Sequence, residues 1–315
     1  MPFSRTSPVA LGALTAVVVA STTSAFAQDA TAGAPAAEAP AAEAAPAAEA
    51  SATEAPAAEA PAAAEGGESA EEDEGSGVTL SAGLSSIYYW RGRNLFAEKE
   101  INDQNALFSI GASYAIGDFS ISYWGGFQIL GDNIGDNLDA GLGAEQDILF
   151  GWESEIAESL TLATTLALYF YPLAKEEAAG TAFPFYIEPQ AVLTYSTAVD
   201  LKLGLFYYYG IQSAIESERY LYVNPGVEKS IELGETLGLD LAGAFGLKIP
   251  TGDAAKDAYD ATNTQDVLVS AALPWSFGEG MSLAPKLSFA WTNIDGADFA
   301  DSYMTFGGVD FEWEL

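Results

Sequence analysis

The chain has no cysteine and no histidine, and only eleven Lys and Arg against forty-five Asp and Glu. Without cysteine there is no disulfide and no lipid-anchoring residue behind an export signal, so the exported chain is not a lipoprotein. Without histidine, the proton transfer on which outer-membrane phospholipases, lipid A deacylases and omptin-type proteases rely is missing, which argues against an enzyme. Carboxylate pairs exist, but none is specific enough to name a hydrolase. The shortage of positive charge excludes nucleic acid as a partner, because so acidic a body repels phosphate and attracts cations. The apolar stretch from Val9 to Ala20 is interrupted by Gly12 and Thr15, and it falls short of the ~20 residues that a membrane-spanning helix needs.

That stretch follows one early basic residue, Arg5, and precedes Ala25-Phe26-Ala27, the layout of a cleaved export signal over residues 1–27. Residues 28–77 repeat Ala, Pro and Glu, as in Ala36-Ala37-Glu38-Ala39-Pro40, and carry twelve acids with no Lys or Arg. Such a segment has nothing bulky to bury and repels itself, so it is expected to be a disordered periplasmic linker. Two roles stay open for it. It is either a leader that keeps the unfolded chain soluble, the simpler reading, or a spacer that contacts the cell wall or a partner.

From Val78 to Leu315 the pattern changes to short segments of period two. Leu80, Ala82, Leu84, Tyr88 and Trp90 alternate with Ser81, Gly83 and Ser85, and Phe108, Ile110, Ala112, Tyr114 and Ile116 alternate with Ser109, Gly111 and Ser113. On a strand each set occupies one face. Strands are predicted over 78–90, 107–116, 119–129, 146–157, 160–171, 183–195, 199–211, 219–231, 236–249, 265–276, 281–293 and 302–315. A strand in lipid must pair on both sides, so the sheet must close with an apolar exterior. The expected fold is therefore all-β, a single transmembrane antiparallel barrel of about twelve strands. Pro189, Pro225, Pro274 and Pro285 fall inside these strands and each removes a ladder donor, which leaves a ten-stranded alternative.

Connections alternate in length. Those at 91–104, 130–145, 172–182, 212–218, 250–264 and 294–301 are long or polar, whereas those at 117–118, 158–159, 196–198, 232–235 and 277–280 are short. Loops on one side and tight turns on the other, with an even strand number, put both termini in the periplasm of a Gram-negative-type bacterium. Aromatic residues gather at strand ends. Tyr88, Tyr89, Trp90, Tyr169, Phe170, Tyr171, Tyr207, Tyr208 and Tyr209 lie on the loop side, and Trp275, Phe277, Phe311 and Trp313 on the turn side. Two lipid-headgroup girdles are expected.

The first segment ends in Ser86-x-Tyr88-x-Trp90-Arg91-Gly92, followed by a polar loop and a second strand starting near Asn105. This resembles the opening of the TorF-type porin family (Gcw_chp), whose first strand typically ends in Ser-Asp-Tyr-x-Phe-Arg-Gly. The similarity is concentrated in residues 80–130, and the length of 78–315 also suits the family. It implies an outer-membrane barrel of porin type with no catalytic residue to carry over. Ser86, Tyr88, Arg91 and Gly92 match the motif. Ile87 stands where the family has Asp, and Leu315 where outer-membrane barrels usually end in an aromatic ring.

If the apolar set faces lipid, the charged mid-strand residues belong in the lumen: Arg91, Glu153, Glu155, Glu188, Lys202, Glu228, Asp240, Lys248, Lys286 and Asp310. They would either set a transverse field across a constriction or pair across neighbouring strands and fill the barrel. Twelve strands lie between the filled interior of about eight and the wide channel of about sixteen. Small residues such as Ser81, Gly83, Ser109 and Gly111 leave space on one wall, while Tyr169, Phe206, Tyr208 and Tyr222, if inward, would narrow the other. The loop Gly131-Asp132-Asn133-Ile134-Gly135-Asp136-Asn137-Leu138-Asp139 lacks the spacing and terminal Glu of an EF-hand. It reads as a solvated acidic loop, and Gly252-Asp253 and Asp257 are treated alike.

The barrel segment carries ten Lys and Arg (the eleven less Arg5) and thirty-three Asp and Glu (the forty-five less the twelve of 28–77), near −23. The expected function is a narrow, cation-favouring outer-membrane channel for passive diffusion of small hydrophilic solutes, with no cofactor and no metal. The alternative is a structural or interaction barrel with a filled lumen. The expected partners are outer-membrane lipid and lipopolysaccharide, the permeating solutes and the barrel-assembly machinery.

Overall fold

Period-two alternation gives each segment one apolar and one polar face, and the segments pair side by side until the sheet returns to its start. The computed structural model describes residues 77–97, 102–179, 183–212, 219–251, 264–293 and 303–315. The signal peptide, almost all of the linker, Gly252-Asp253 and Asp257 lie outside the described residues. The elements are β1 (Gly77–Ser85), β2 (Tyr89–Trp90), β3 (Arg93–Asn94), β4 (Leu107–Ile116), β5 (Phe119–Gln128), α1 (Ile134–Ala140), β6 (Ala144–Ala157), β7 (Leu160–Phe170), α2 (Glu176–Ala179), β8 (Phe185–Ser196), β9 (Asp200–Gly210), β10 (Tyr220–Glu232), β11 (Gly238–Pro250), β12 (Thr264–Ala272), β13 (Trp275–Gly278), β14 (Met281–Thr292) and β15 (Tyr303–Glu314).

Neighbouring wall strands are antiparallel, and β15 pairs with β1, with Leu80 opposite Trp313 and Leu84 opposite Val309, so the ring closes. β12 and β13 are two halves of one wall strand, both paired with β14 and parted at Leu273-Pro274. The break is bridged, since Leu273 N donates to Pro285 O and Gly238 N to Pro274 O. The wall therefore has twelve strands, and the ten-stranded alternative falls. Pro189, Pro225 and Pro285 sit exposed on the outer face. The β8–β9 ladder skips 188–189 and the β10–β11 ladder skips 224–225, without a shift of register.

The exterior is apolar. Ile110, Tyr114 and Ile116 on β4, Phe119, Ile121 and Tyr123 on β5, and Leu201, Leu203 and Leu205 on β9 are all exposed. The small polar set of β1 and β4 turns inward, where Gly83 lies against Ser109 and Asp310, and Gly111 against Ser81. A sheet with no edge and a lipid-compatible outside is a transmembrane barrel. Gly77 and Glu314 lie at the same end as the short turns, where Leu315 N donates to Val78 O.

Two expectations are corrected. The first strand was predicted to run to Trp90, but it ends at Ser85, and Tyr89-Trp90 form a separate hairpin with Arg93-Asn94. Arg91 and Gly92, its two central residues, have φ of +46° and +82°. Positive φ at both positions is what a tight two-residue hairpin turn requires. The loop-side rings were expected at the lipid boundary, but Tyr88, Tyr89, Tyr169, Tyr171 and Tyr208 are buried inside. They join Phe206 and Tyr222, so the four rings that would narrow that wall if inward, Tyr169, Phe206, Tyr208 and Tyr222, are all buried inside. On the turn side, Trp275 and Trp313 are exposed on the outer face, and the Phe277 ring lies tilted against those of Trp275 and Phe311.

Candidate functional site

The hairpin after β1 folds into the barrel. Its entry is set by Ser86, whose N donates to Gly307 O while its Oγ accepts from Gly307 N. Beyond it, Ile87 and Phe96 are completely buried. From there the loop reaches the wall in three directions. Tyr88 Oη donates to Glu145 on β6 at 2.7 Å. Tyr89 Oη donates to Asp266 on β12 at 3.0 Å. Arg91 forms a two-pronged ion pair with Glu188 on β8, at 2.6 and 2.7 Å. Counting β1 as the first wall strand, β6 is the fourth, β8 the sixth and β12 the tenth of twelve. The loop thus crosses the lumen from the seam to the far wall.

Arg91 is held on all sides. Its guanidinium lies over Trp90 at 4.4 Å, Tyr222 at 4.9 Å and Phe206 at 5.0 Å, the arrangement in which ring quadrupoles attract a cation. It also donates to Tyr220 Oη at 3.1 Å. Burial alone would draw its pKa down, but the Glu188 carboxylate outweighs this and holds it well above the ordinary value. Glu188 further accepts from Tyr169 Oη at 3.0 Å and Gln190 Nε2 at 2.8 Å. Every oxygen of this fully buried carboxylate is therefore engaged, as a buried charge requires. Burial, and then the charge of Glu145, push the Tyr88 phenol well above its ordinary pKa, so it stays a donor.

A second connection supports the first. Asn133, before α1, is buried, with Nδ2 donating to Phe96 O and Oδ1 accepting from Gln128 and Asn105. Asn105 in turn donates to Phe96 O at 2.6 Å. The segment read as a solvated acidic loop is solvated at Asp132 and Asp136, but through Asn133 it clamps the crossing hairpin. Among the described residues no cluster of three or more potential ligands could hold a metal ion.

The ten charged residues expected in the lumen divide by depth. Arg91, Glu188 and Lys248 are buried at the crossing loop, with Lys248 Nζ 4.5 Å above the Tyr220 ring. Arg91 is supplied by the hairpin rather than by a strand. Nearer the turns, Lys202 and Glu228 pair at 2.7 Å across adjacent strands, and Glu153 interacts with Lys202. Lys286 interacts with Asp310, Glu228 and Asp240. Glu155 is exposed at the turn end of β6 and has no part in either group. Sequence reasoning missed Glu145, Asp147 and Asp266, all buried. Glu145 and Asp147 continue the inward odd positions of Glu153 and Glu155 along β6, so the signal was present; Glu145 alone fell outside the predicted strand, which begins at Ala144 rather than 146, while Asp147 lay within it.

Fold and site define a transmembrane β-barrel whose lumen is crossed and narrowed by its own first loop. No family model matches the chain, and neither does any curated protein. Solved structures give distant likenesses. The COG4313 outer membrane channel from Pseudomonas putida F1 has a TM-score of 0.45 at 10% identity, over 80% of this chain and 100% of that one. The translocator domain of the autotransporter NalP from Neisseria meningitidis has 0.42 at 10% identity, over 78% and 90%. The KdgM porin in complex with disordered oligogalacturonate has 0.38 at 5% identity, over 76% and 96%. Likeness of this degree assigns neither substrate nor activity to the chain.

Proposed function

We propose that this chain is a narrow outer-membrane channel for passive diffusion of small hydrophilic solutes, with both termini periplasmic and the first loop setting its constriction. The observation that carries the reading is the Arg91–Glu188 pair closing across the lumen. A charged tether runs through a polar interior to the far wall. On the turn side of the loop, Glu153, Asp240, Lys286 and Asp310 are only half-buried, and the facing wall is built of small residues such as Ser81, Gly83, Ser109 and Gly111. In this reading Glu153, Lys202, Glu228, Asp240, Lys286 and Asp310 line the solute path, Arg91, Glu188 and Lys248 form the constriction together with Glu145, Asp147 and Asp266, and Glu155 stands at the turn-side mouth. The acids outnumber the cations there, so cations are favoured over anions. Lipid, lipopolysaccharide and the barrel-assembly machinery are the surrounding partners. The absence of histidine supports a channel over an enzyme. Membership of the TorF-type porins rests on Ser86, Tyr88, Arg91 and Gly92.

A second reading, a structural barrel sealed by the loop, is favoured by the complete burial of Ile87 and Phe96. Insertion of the full mature chain into planar bilayers separates the two. Steady conductance with a cation-sided reversal potential across a KCl gradient supports the channel, and no conductance from a verified, folded barrel overturns it in favour of the sealed form.

A further inference from the structure

The three anchors of the crossing hairpin share one chemistry: Tyr88, Tyr89 and Arg91 each donate to a wall carboxylate. Two of these acceptors have a cation acting on them. Glu188 holds Arg91, and Asp266 lies in the field of Lys248 and Arg91. At Glu145 a second carboxyl takes that place. Asp147 stands two residues along β6 on the same inward face, and the two groups share a hydrogen bond. Both are almost completely buried, at 2% and 1% exposure, and among the described residues the ion pairs include neither.

Their surroundings supply hydroxyls and further negative charge. Tyr88 of the hairpin donates to Glu145, and so does Tyr171 just beyond β7. Tyr169 on β7 stands opposite Asp147, and Glu188 on β8 acts on both carboxyls. On β5 the opposite residues are Gly126 and Trp124, which do not titrate. Arg93 and Lys248 border the same loop-side cavity as Glu145, of about 270 Å³.

A hydrogen bond between two carboxyls needs a proton, because two carboxylates offer only acceptors. Like charges held together away from water cannot both ionise, so one proton serves the two groups. The donors decide which group carries it. Glu145 accepts from two phenols, the setting that stabilises a carboxylate, whereas Asp147 Oδ1 is buried with no donor on it. The carbonyl oxygen of a neutral acid is less costly in that position than an oxygen of a full charge.

We infer that Asp147 and Glu145 form a shared-proton pair, Asp147 donating to Glu145, and that this proton keeps the crossing hairpin latched. The inference rests on the reading of the hairpin as the constriction. The proton leaves through Glu145 to water in the adjoining cavity. Its loss sets two uncompensated charges side by side at the acceptor of Tyr88, and their repulsion is relieved when the hairpin lifts and water enters. The latch is therefore intact while the proton is held and is lost as pH rises.

The test uses the full mature chain folded in vesicles, followed by infrared absorption and by acrylamide quenching of tryptophan. A chain without His or Cys has no ordinary side-chain titration between about pH 6 and about pH 9, so that window isolates the pair. The expected result is a carboxylic-acid C=O band at the acid end of the window that fades toward the alkaline end, with a reversible rise in quenching. Asp147→Asn, whose amide still donates to Glu145, should remove the band and the quenching step together. Glu145→Gln should do the same from the other side and serves as the second variant where the first does not fold. Absence of the band from the wild type, or a quenching step that survives either substitution, overturns the proposal. Current in planar bilayers separates this from the channel reading. A barrel that conducts without band or step keeps the channel and loses the shared proton, and a silent barrel that shows both keeps the proton and loses the channel.

Discussion

Arg91 and Glu188 are each costly where they sit and stable only together. Breaking one side of a buried pair leaves a charge with no counter-charge, at about 3–5 kcal/mol. Glu188→Gln should therefore lower the denaturant midpoint of the barrel, read by tryptophan fluorescence, and raise single-channel conductance as the loop comes free. The double replacement Arg91→Met with Glu188→Leu should recover much of the stability, because it leaves no orphaned charge. A midpoint unchanged by Glu188→Gln would mean the pair does not hold the loop. Gly92 is a second sensitive position, since its φ of +82° is one that a branched side chain resists. Gly92→Val should cost about 1–2 kcal/mol and loosen the same hairpin, seen as noisier current.

The separable element is the crossing loop. The twelve wall strands are joined by their own ladders, and the loop is attached to them through side chains and a few backbone bonds. Replacing 86–106 by a short glycine-rich turn should leave β-sheet circular dichroism and heat-dependent gel mobility intact while raising conductance several-fold. A variant that no longer folds would make the loop a structural core instead. This division also explains what was legible in the sequence. Strands in lipid have one solution, an apolar outside and closed pairing, so Ile110, Tyr114 and Phe119 declare the wall locally and the short turns declare its direction. The loop obeys no such period. Tyr88 and Trp90 continue the alternation of β1 in sequence, and only Arg91–Gly92 hint at the turn that sends them inward. The partners of Tyr88, Arg91 and Tyr89, which are Glu145, Glu188 and Asp266, lie 57, 97 and 177 residues away, beyond any local pattern. Arg91, Glu188 and Lys248 could be placed in the lumen by charge alone, but their convergence could not.

For the whole molecule, the two faces of the wall impose opposite rules one residue apart. Leu166 is exposed to the outside, whereas Thr165, opposite Gly151 and Gln190, faces in. Leu166→Arg should destabilise the barrel in lipid by about 2–4 kcal/mol, while Thr165→Arg should fold and alter current instead. Equal tolerance of both in vesicle-refolding titrations would refute the assigned facing. If the barrel conducts as proposed, its net acidity predicts a cation-sided reversal potential that shrinks as KCl rises from about 0.01 to 1 M, when screening contracts from about 30 to 3 Å. A selectivity independent of salt would point to the fixed charges at the loop rather than to the general field.

The loop that narrows the lumen is also a brace. A ring of twelve strands joined only to their neighbours can flatten into an ellipse by small changes in tilt that break no ladder. A ring tied from its closing seam to the opposite wall cannot widen along that diameter without stretching the tie, and Tyr88 and Tyr89 anchor it to either side. The loop therefore fixes the shape of the cross-section as well as its free area. When the surrounding bilayer thins or thickens, the strands can re-tilt only as far as the Arg91–Glu188 link allows, so a barrel that conducts as proposed should keep one conductance level across lipids of different chain length until that link is cut.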